Sequence, residues 1–206
     1  VRLVVTPDNS LSDSAIIGLI RNAEKEIIIQ QHQFTTTWDD TDSPYWTELL
    51  EAIDRGVKVS VMFDGTEQYM AEQNQYAYLL LDEKRKNGAE IDLLIYRSPK
   101  DEFIRIHNKG IIVDERYTLV SSINWGAGGG SLNREIGVII ESQEIATFYK
   151  DIFWGDWEGR EEFVEENPTN DKKEKDEKLP YISLPSIIAT VLLVSYSRLF
   201  NRNRFR

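Results

Sequence analysis

The chain has no cysteine in its 206 residues and only two histidines. The missing cysteine excludes a disulfide framework, a thiolate nucleophile and any thiolate metal ligand. The two histidines, His32 and His107, are too far apart for an H-E-x-x-H zinc helix, and no carboxylate set recurs at metal-ligand spacing, so neither a metal nor another cofactor is expected. Basic charge is scarce as well: 24 Lys and Arg stand against 35 Asp and Glu, a net charge of −11. Such a chain lacks the broad basic footprint of a nucleic-acid binder, although a local phosphate site is still open to it. The imbalance is uneven, at −11 over residues 1–157, −4 over 158–178 and +4 over 179–206. The first residue is Val1 rather than Met, which reads as a removed leader or a longer parent chain.

What is present is an alternation of strands and helices. Val1–Thr6 reads as a short strand closed by Pro7, and Ile16, Leu19, Ile20 and Ala23 have helical spacing within Ser10–Glu24, with Asn9, Ser10 or Ser12 as cap. The continuous β-branched run Ile27-Ile28-Ile29 suits a strand covered on both faces. Ser43-Pro44 opens a helix as N-cap and N1, and Gly56 stops it before a buried strand, Val57–Phe63. A long helix is expected over Glu67–Asn87. Strands are expected at Ile91–Tyr96, Ile104–Val113, Tyr117–Ser122 and Arg134–Ile140, and an amphipathic helix over Gln143–Trp157. Trp154 and Trp157 share one face of that last helix and read as core. The pattern predicts an α/β sandwich around a mixed β-sheet flanked by helices.

Composition then changes. Residues 158–178 are almost wholly charged or polar and read as a disordered linker, since so little apolar surface cannot offset the entropy of ordering. Leu179–Ser197 holds 19 residues without charge, near the ~20 that cross a hydrocarbon core. Arg198, Arg202, Arg204 and Arg206 follow as a basic tail, 198–206, that favours the cytoplasmic side. The expectation is a catalytic domain over 1–157, a linker, a C-terminal transmembrane helix over 179–197 and a single-pass membrane protein whose catalytic domain is extracytoplasmic. The layout also resembles archaeal C-terminal sorting signals, whose tail is cut off.

The densest chemistry lies at His107-Asn108-Lys109, followed by Asp114 and by Ser121-Ser122-Ile123-Asn124, the pattern H-x-K-x4-D-x6-S-S-x-N. On a strand, His107 and Lys109 fall on one face, and Ser122 and Asn124 repeat that spacing. An imidazole, an ammonium, a hydroxyl and an amide are the equipment for phosphodiester chemistry without a metal. The odd separation from Lys109 turns Asp114 away, as a structural residue between two strands. The other histidine, His32, lacks a Lys two positions on and reads as structural or at a pocket edge; the glycine-rich stretch Gly126–Gly130 reads as an adjustable loop.

This pattern resembles the phospholipase D superfamily, whose HKD motif is followed by Gly-Ser-x-Asn. The likeness continues through Asn133-Arg134-Glu135 and the apolar run Ile136–Ile140, and upstream through Ala52–Val59, and it covers roughly residues 1–157. Ser121 departs from the usual Gly. The resemblance implies that His107 is the nucleophile and forms a phospho-histidine. Lys109, Ser122 and Asn124 would then bind the phosphate, and Glu135 would hold the other imidazole nitrogen. The family's second catalytic imidazole comes from a second HKD motif, yet residues 1–106 contain no other H-x-K. A homodimer, or an N-terminal partner half, is therefore expected to supply it.

Three substrate readings follow: phospholipid hydrolysis, favoured by the apolar C-terminus and acidic body; phosphatidyl transfer as in cardiolipin synthesis; and metal-independent nuclease activity. A non-catalytic surface binding module is the reading from another class. The intact set of His107, Lys109, Asn124 and Glu135 argues against it.

Overall fold

The computed structural model describes residues 1–97, 103–158 and 160. The chain divides into two units, Val1–Val164 and Glu165–Arg206, and everything below concerns the first.

The elements in chain order are β1 (Arg2–Val5), α1 (Ile16–Arg21), β2 (Glu26–Gln31), β3 (Thr37–Trp38), β4 (Thr41–Asp42), α2 (Pro44–Asp54), β5 (Lys58–Asp64), α3 (Gln68–Lys86), β6 (Ile91–Tyr96), β7 (Lys109–Val113), β8 (Tyr117–Ser121), β9 (Ile136–Glu141) and α4 (Gln143–Trp157), with a π-helical turn at Gly128–Leu132 before β9. Seven strands form one mixed sheet in the order β1-β9-β8-β7-β2-β5-β6, while β3 and β4 form a separate small hairpin. The strands β2, β5 and β6 run parallel. From β2 through β7, β8 and β9 to β1 every pairing is antiparallel.

Both faces of the sheet are covered. Strand alternation sends Ile27 and Ile29 to the face beneath α1, α2 and α3, and Ile28 to the face beneath α4. On the first face they join Val59, Val61, Leu93, Ile111 and Leu119. On the second, Ile28 meets Met62, Leu94 and Ile112 against Ala146 and Phe153, with Trp154 and Trp157 packed alongside. Each such Ile, at most 2% exposed, contributes about 1.5–3 kcal/mol by leaving water.

Several boundaries differ from expectation for identifiable reasons. The first helix spans only Ile16–Arg21, because its expected caps are used elsewhere. Asn9 bonds the backbone of Leu3 and Val5, and Ser10 donates to the Gly130 carbonyl. Ser43 caps α2 through the Trp46 N–H at 3.0 Å, and Gly56 ends that segment at φ 87°. The strand expected over Ile104–Val113 pairs only from Lys109, so His107 lies in the irregular approach to β7. The glycine-rich stretch is an ordered turn: a Cβ on Gly129 would come within 2.7 Å of the Asn124 carbonyl oxygen, and one on Gly130 would overlap the Trp38 ring.

The fold class needs one correction. Among the described residues no helix is long and apolar enough to cross a membrane. The longest, α3, has 19 residues but carries Glu72, Asp82, Glu83, Lys84, Arg85 and Lys86, a charge load that a hydrocarbon core excludes. The expected transmembrane helix over 179–197 lies outside the described residues, as do the rest of the linker and the basic tail. The fold is thus the α/β sandwich itself, and the expected single-pass, extracytoplasmic placement is withdrawn with the helix it depended on.

Candidate active site

Sheet register brings the motif together at one edge. Gln31 at the end of β2 pairs with Lys109, Lys109 with Ser121, and Ser121 with Gly137. Asp64 ends the parallel strand β5 on the same side. This is the carboxyl edge of the parallel strands, the edge at which open α/β sheets bind their ligands.

His107 is exposed, and Lys109 is only 5% exposed. The Lys109 ammonium sits 3.2 Å from His107 Nδ1 and also donates to the His107 carbonyl. Ser121 donates to the Lys109 carbonyl at 2.8 Å, so the residue that departs from the family pattern helps hold this strand end. Ser122 donates to the Glu135 carboxylate, and the Ser122 backbone N–H bonds the Ile136 carbonyl at 2.9 Å. Asn124 is half-buried and its Oδ1 has no partner among the described residues. The arrangement thus gathers His107, Lys109, Ser122 and Glu135, with Asn124 two residues beyond Ser122 in the chain. Glu135, however, holds Ser122 and lies near Lys109; no hydrogen bond joins it to His107 among the described residues.

The electrostatics follow from burial and proximity. The Lys109 ammonium, then burial and Arg105, lower the His107 pKa from its ordinary value against the opposing pull of Asp64. Burial lowers that of Lys109, partly offset by Glu135 and Asp64. An imidazole set beside a buried ammonium can, in general, attack an electrophilic centre while the cation holds an anion.

Asp114 lies at the opposite end of β7. Its carboxylate accepts the backbone N–H groups of Glu24, Lys25 and Glu26 at 2.8–3.3 Å, and its φ is 55°. It fixes the start of β2, and Arg134 pairs with Asp8 on the surface.

Three neighbours escape a motif-based reading. Asp64 is fully buried and accepts the Ile106 N–H at 3.1 Å just before His107. Asn74 on α3, also fully buried, accepts from the Phe34 N–H at 2.8 Å and donates to the carbonyls of His32 and Asp64 at 2.9 and 2.7 Å. Asn108 donates to Gln30, which donates to Asp156 on α4 at 3.1 Å, tying the middle of H-x-K to the last helix. A buried Asn inside a helix, between no obvious apolar pair, was the available signal for the second of these. Among the described residues no group of three or more His, Asp or Glu is arranged to hold a metal ion.

Residues 16–157 match the family model described as "Cardiolipin synthase, PLD-like domain". With that match and the motif geometry, the chain belongs to the phospholipase D-like superfamily of phosphodiesterases and phosphotransferases. It is 31% identical over 134 residues to a protein named phospholipase D from Rickettsia conorii, covering 65% of this chain and 58% of that relative. A namesake from Rickettsia felis is 30% identical with the same coverage. The chain therefore aligns with less than two thirds of these relatives. Among solved structures, Nuc from Salmonella typhimurium, a phospholipase D family member, superposes with TM-score 0.57 at 21% identity, covering 76% of this chain and 92% of that one. NucT from Helicobacter pylori gives TM-score 0.57 at 16% identity, with coverage of 76% and 94%. The phosphatidylserine synthase of Haemophilus influenzae Rd KW20 gives 0.57 at 13%, covering 76% of this chain and 38% of that one. At such identities these structures show the shared fold.

Proposed function

We propose that this chain cleaves phosphodiesters by nucleophilic attack of His107 on phosphorus, through a phospho-histidine, with phospholipid as the preferred substrate class. The observation that carries the reading is the exposed His107 imidazole with the buried Lys109 ammonium 3.2 Å from its Nδ1. Lys109 holds a non-bridging oxygen as charge builds, and Ser122 and Asn124 donate to the same group. Glu135 acts on this set through Ser122 and through its charge near Lys109. The names of the Rickettsia relatives and of the matching family model support a phospholipid, as does the acidic surface implied by a net charge of −11, which disfavours a polyanionic strand.

The experiment offers the chain phosphatidylcholine vesicles, single-stranded DNA and bis(p-nitrophenyl) phosphate side by side in EDTA. Release of headgroup and of p-nitrophenol is expected, with both lost in His107→Ala. Turnover of DNA alone would replace the phospholipid reading with a nuclease, and full activity in His107→Ala would remove the proposed nucleophile.

A further inference from the structure

The third inward-facing position of β2 is not apolar. Strand alternation sets Ile27, Ile29 and Gln31 on one face of the sheet, and the two isoleucines lie in the core beneath α1, α2 and α3. Gln31 is as buried as they are, at 0% exposure, yet neither its amide nitrogen nor its oxygen has a hydrogen-bond partner among the described residues. An unpaired buried carboxamide destabilises a fold, so a third isoleucine here would cost less. Antiparallel register sets Gln31 directly opposite Lys109. Such cross-strand neighbours share a face, with Cβ atoms about 4.5–5.5 Å apart. An acceptor with nothing bonded to it therefore stands beside the ammonium of the site.

The contacts that Lys109 makes in the substrate-free site do not suit attack by His107. A lysine ammonium has donors and no acceptor, so His107 Nδ1, 3.2 Å from Nζ, is the accepting nitrogen, and the neutral ring carries its proton on Nε2. One lone pair is covered by the ammonium, and the other nitrogen is a donor. Neither is free to bond to phosphorus. The ring also rests against His32, with centroids 4.6 Å apart at an interplanar angle of 52°. The carboxylates near Lys109 are already engaged, Asp64 by Thr66 and the Ile106 N–H and Glu135 by Ser122. Asn124 Oδ1 is unpaired too, but Asn124 lies past the end of β8, whereas Gln31 is the direct strand partner of Lys109.

We propose that Gln31 is a positioning residue, whose carboxamide oxygen gives the Lys109 ammonium a second seat. This rests on the reading of His107 as the nucleophile. When a phosphate anion enters, the ammonium turns from His107 Nδ1 to the Gln31 oxygen. Its N–H groups then go to the His107 carbonyl, the Gln31 carboxamide and a phosphoryl oxygen. The exposed imidazole exchanges protons with solvent: Nε2 loses one, Nδ1 gains one, and the ring stays neutral. The Nε2 lone pair is thereby freed for phosphorus. Gln31 makes the movement feasible, because an ammonium at 5% exposure cannot leave one acceptor without reaching another. Until the anion arrives, Lys109 keeps the nucleophile covered.

Nitrogen-15 spectra of the imidazoles read this without turnover, and the spectrum of His32→Gln assigns the His107 signals. In wild type, His107 is expected as the Nε2–H form alone and as the Nδ1–H form in saturating inorganic phosphate. Gln31→Met keeps the side-chain length and removes the acceptor. It should stay Nε2–H in phosphate, with the urea unfolding midpoint unchanged or higher. Its kcat on bis(p-nitrophenyl) phosphate should fall about 10-fold at similar KM. Gln31→Glu should draw the ammonium across by itself and show Nδ1–H without phosphate. A wild-type ring that keeps its tautomer in saturating phosphate overturns the proposal, and so does a Gln31→Met chain that switches as wild type does. Should Gln31→Met fail to fold, Gln31→Glu decides, and an Nε2–H ring in its phosphate-free form overturns the proposal. Full turnover in His107→Ala overturns instead the reading on which the proposal rests.

Discussion

The two ends of β7 carry letters of one sequence motif and are built in opposite ways. At the Asp114 end the carboxylate is saturated by three backbone N–H groups, and a left-handed residue fixes the turn. At the His107 end an exposed imidazole faces an ammonium, and the polar side-chain atoms of Gln31 and His32 and the Oδ1 of Asn124 are buried without hydrogen-bond partners among the described residues. A motif letter that satisfies the backbone holds the fold. One that leaves its polarity unspent close to a charged neighbour is available for chemistry. The difference assigns roles where the motif alone gives all its letters equal rank.

Substitution at each end should separate activity from stability. His107→Ala is expected to lower kcat by about 10⁴-fold or more with the unfolding midpoint in urea little changed, since the side chain is exposed and supports no backbone group. Lys109→Arg should cost about 10²-fold in kcat/KM, because a wide planar fork replaces a compact ammonium packed against His107, and Ser121 fixes the strand from which it projects. Equal activity in that variant would place Lys109 with the general electrostatics of the site.

Smaller effects probe the supports. Asn74→Ala removes three buried hydrogen bonds and should destabilise the chain by about 3 kcal/mol in urea unfolding. Asp114→Ala should cost about 1–3 kcal/mol, from lost acceptors and a poorer left-handed residue, with kcat retained within a few-fold. A large loss of kcat in folded Asp114→Ala would break the contrast between the two ends. The pH dependence gives the mildest test. His107 must be neutral to attack, and its pKa lies below the ordinary imidazole value. The limb that rises as His107 loses its proton therefore shifts to acid. The midpoint of that rise in kcat/KM should sit below about pH 6.5, and Lys109→Gln should move it upward.

Much of this was legible in the residues. The apolar runs and the Ser43-Pro44 and Gly56 punctuation place β2, α2 and β5, because burial and capping are local consequences of composition. That Lys109 and Ser121 meet at one sheet edge, with Ser122 bonded to Glu135 just beyond, was legible because strand pairing preserves the spacing. The length of α1 was not legible, since Asn9 and Ser10 bond to partners set by tertiary structure. Nor was the partner of Glu135, which depends on where the chain past Ser121 meets the start of β9. His32 looked ordinary because its neighbour is 75 positions away, and only the antiparallel pairing of β2 with β7 brings the rings together. The charge-free C-terminal run met the length criterion for a membrane span, but length and hydropathy alone did not establish one.

The central claim is that His107 carries the phosphoryl group between two half-reactions. Rapid mixing with bis(p-nitrophenyl) phosphate, alkaline quench and peptide mass spectrometry test it directly. One phosphoryl adduct per chain is expected on His107 in wild type, absent from His107→Ala. Turnover without any adduct on His107, or an adduct on another residue that His107→Ala leaves intact, would contradict the account.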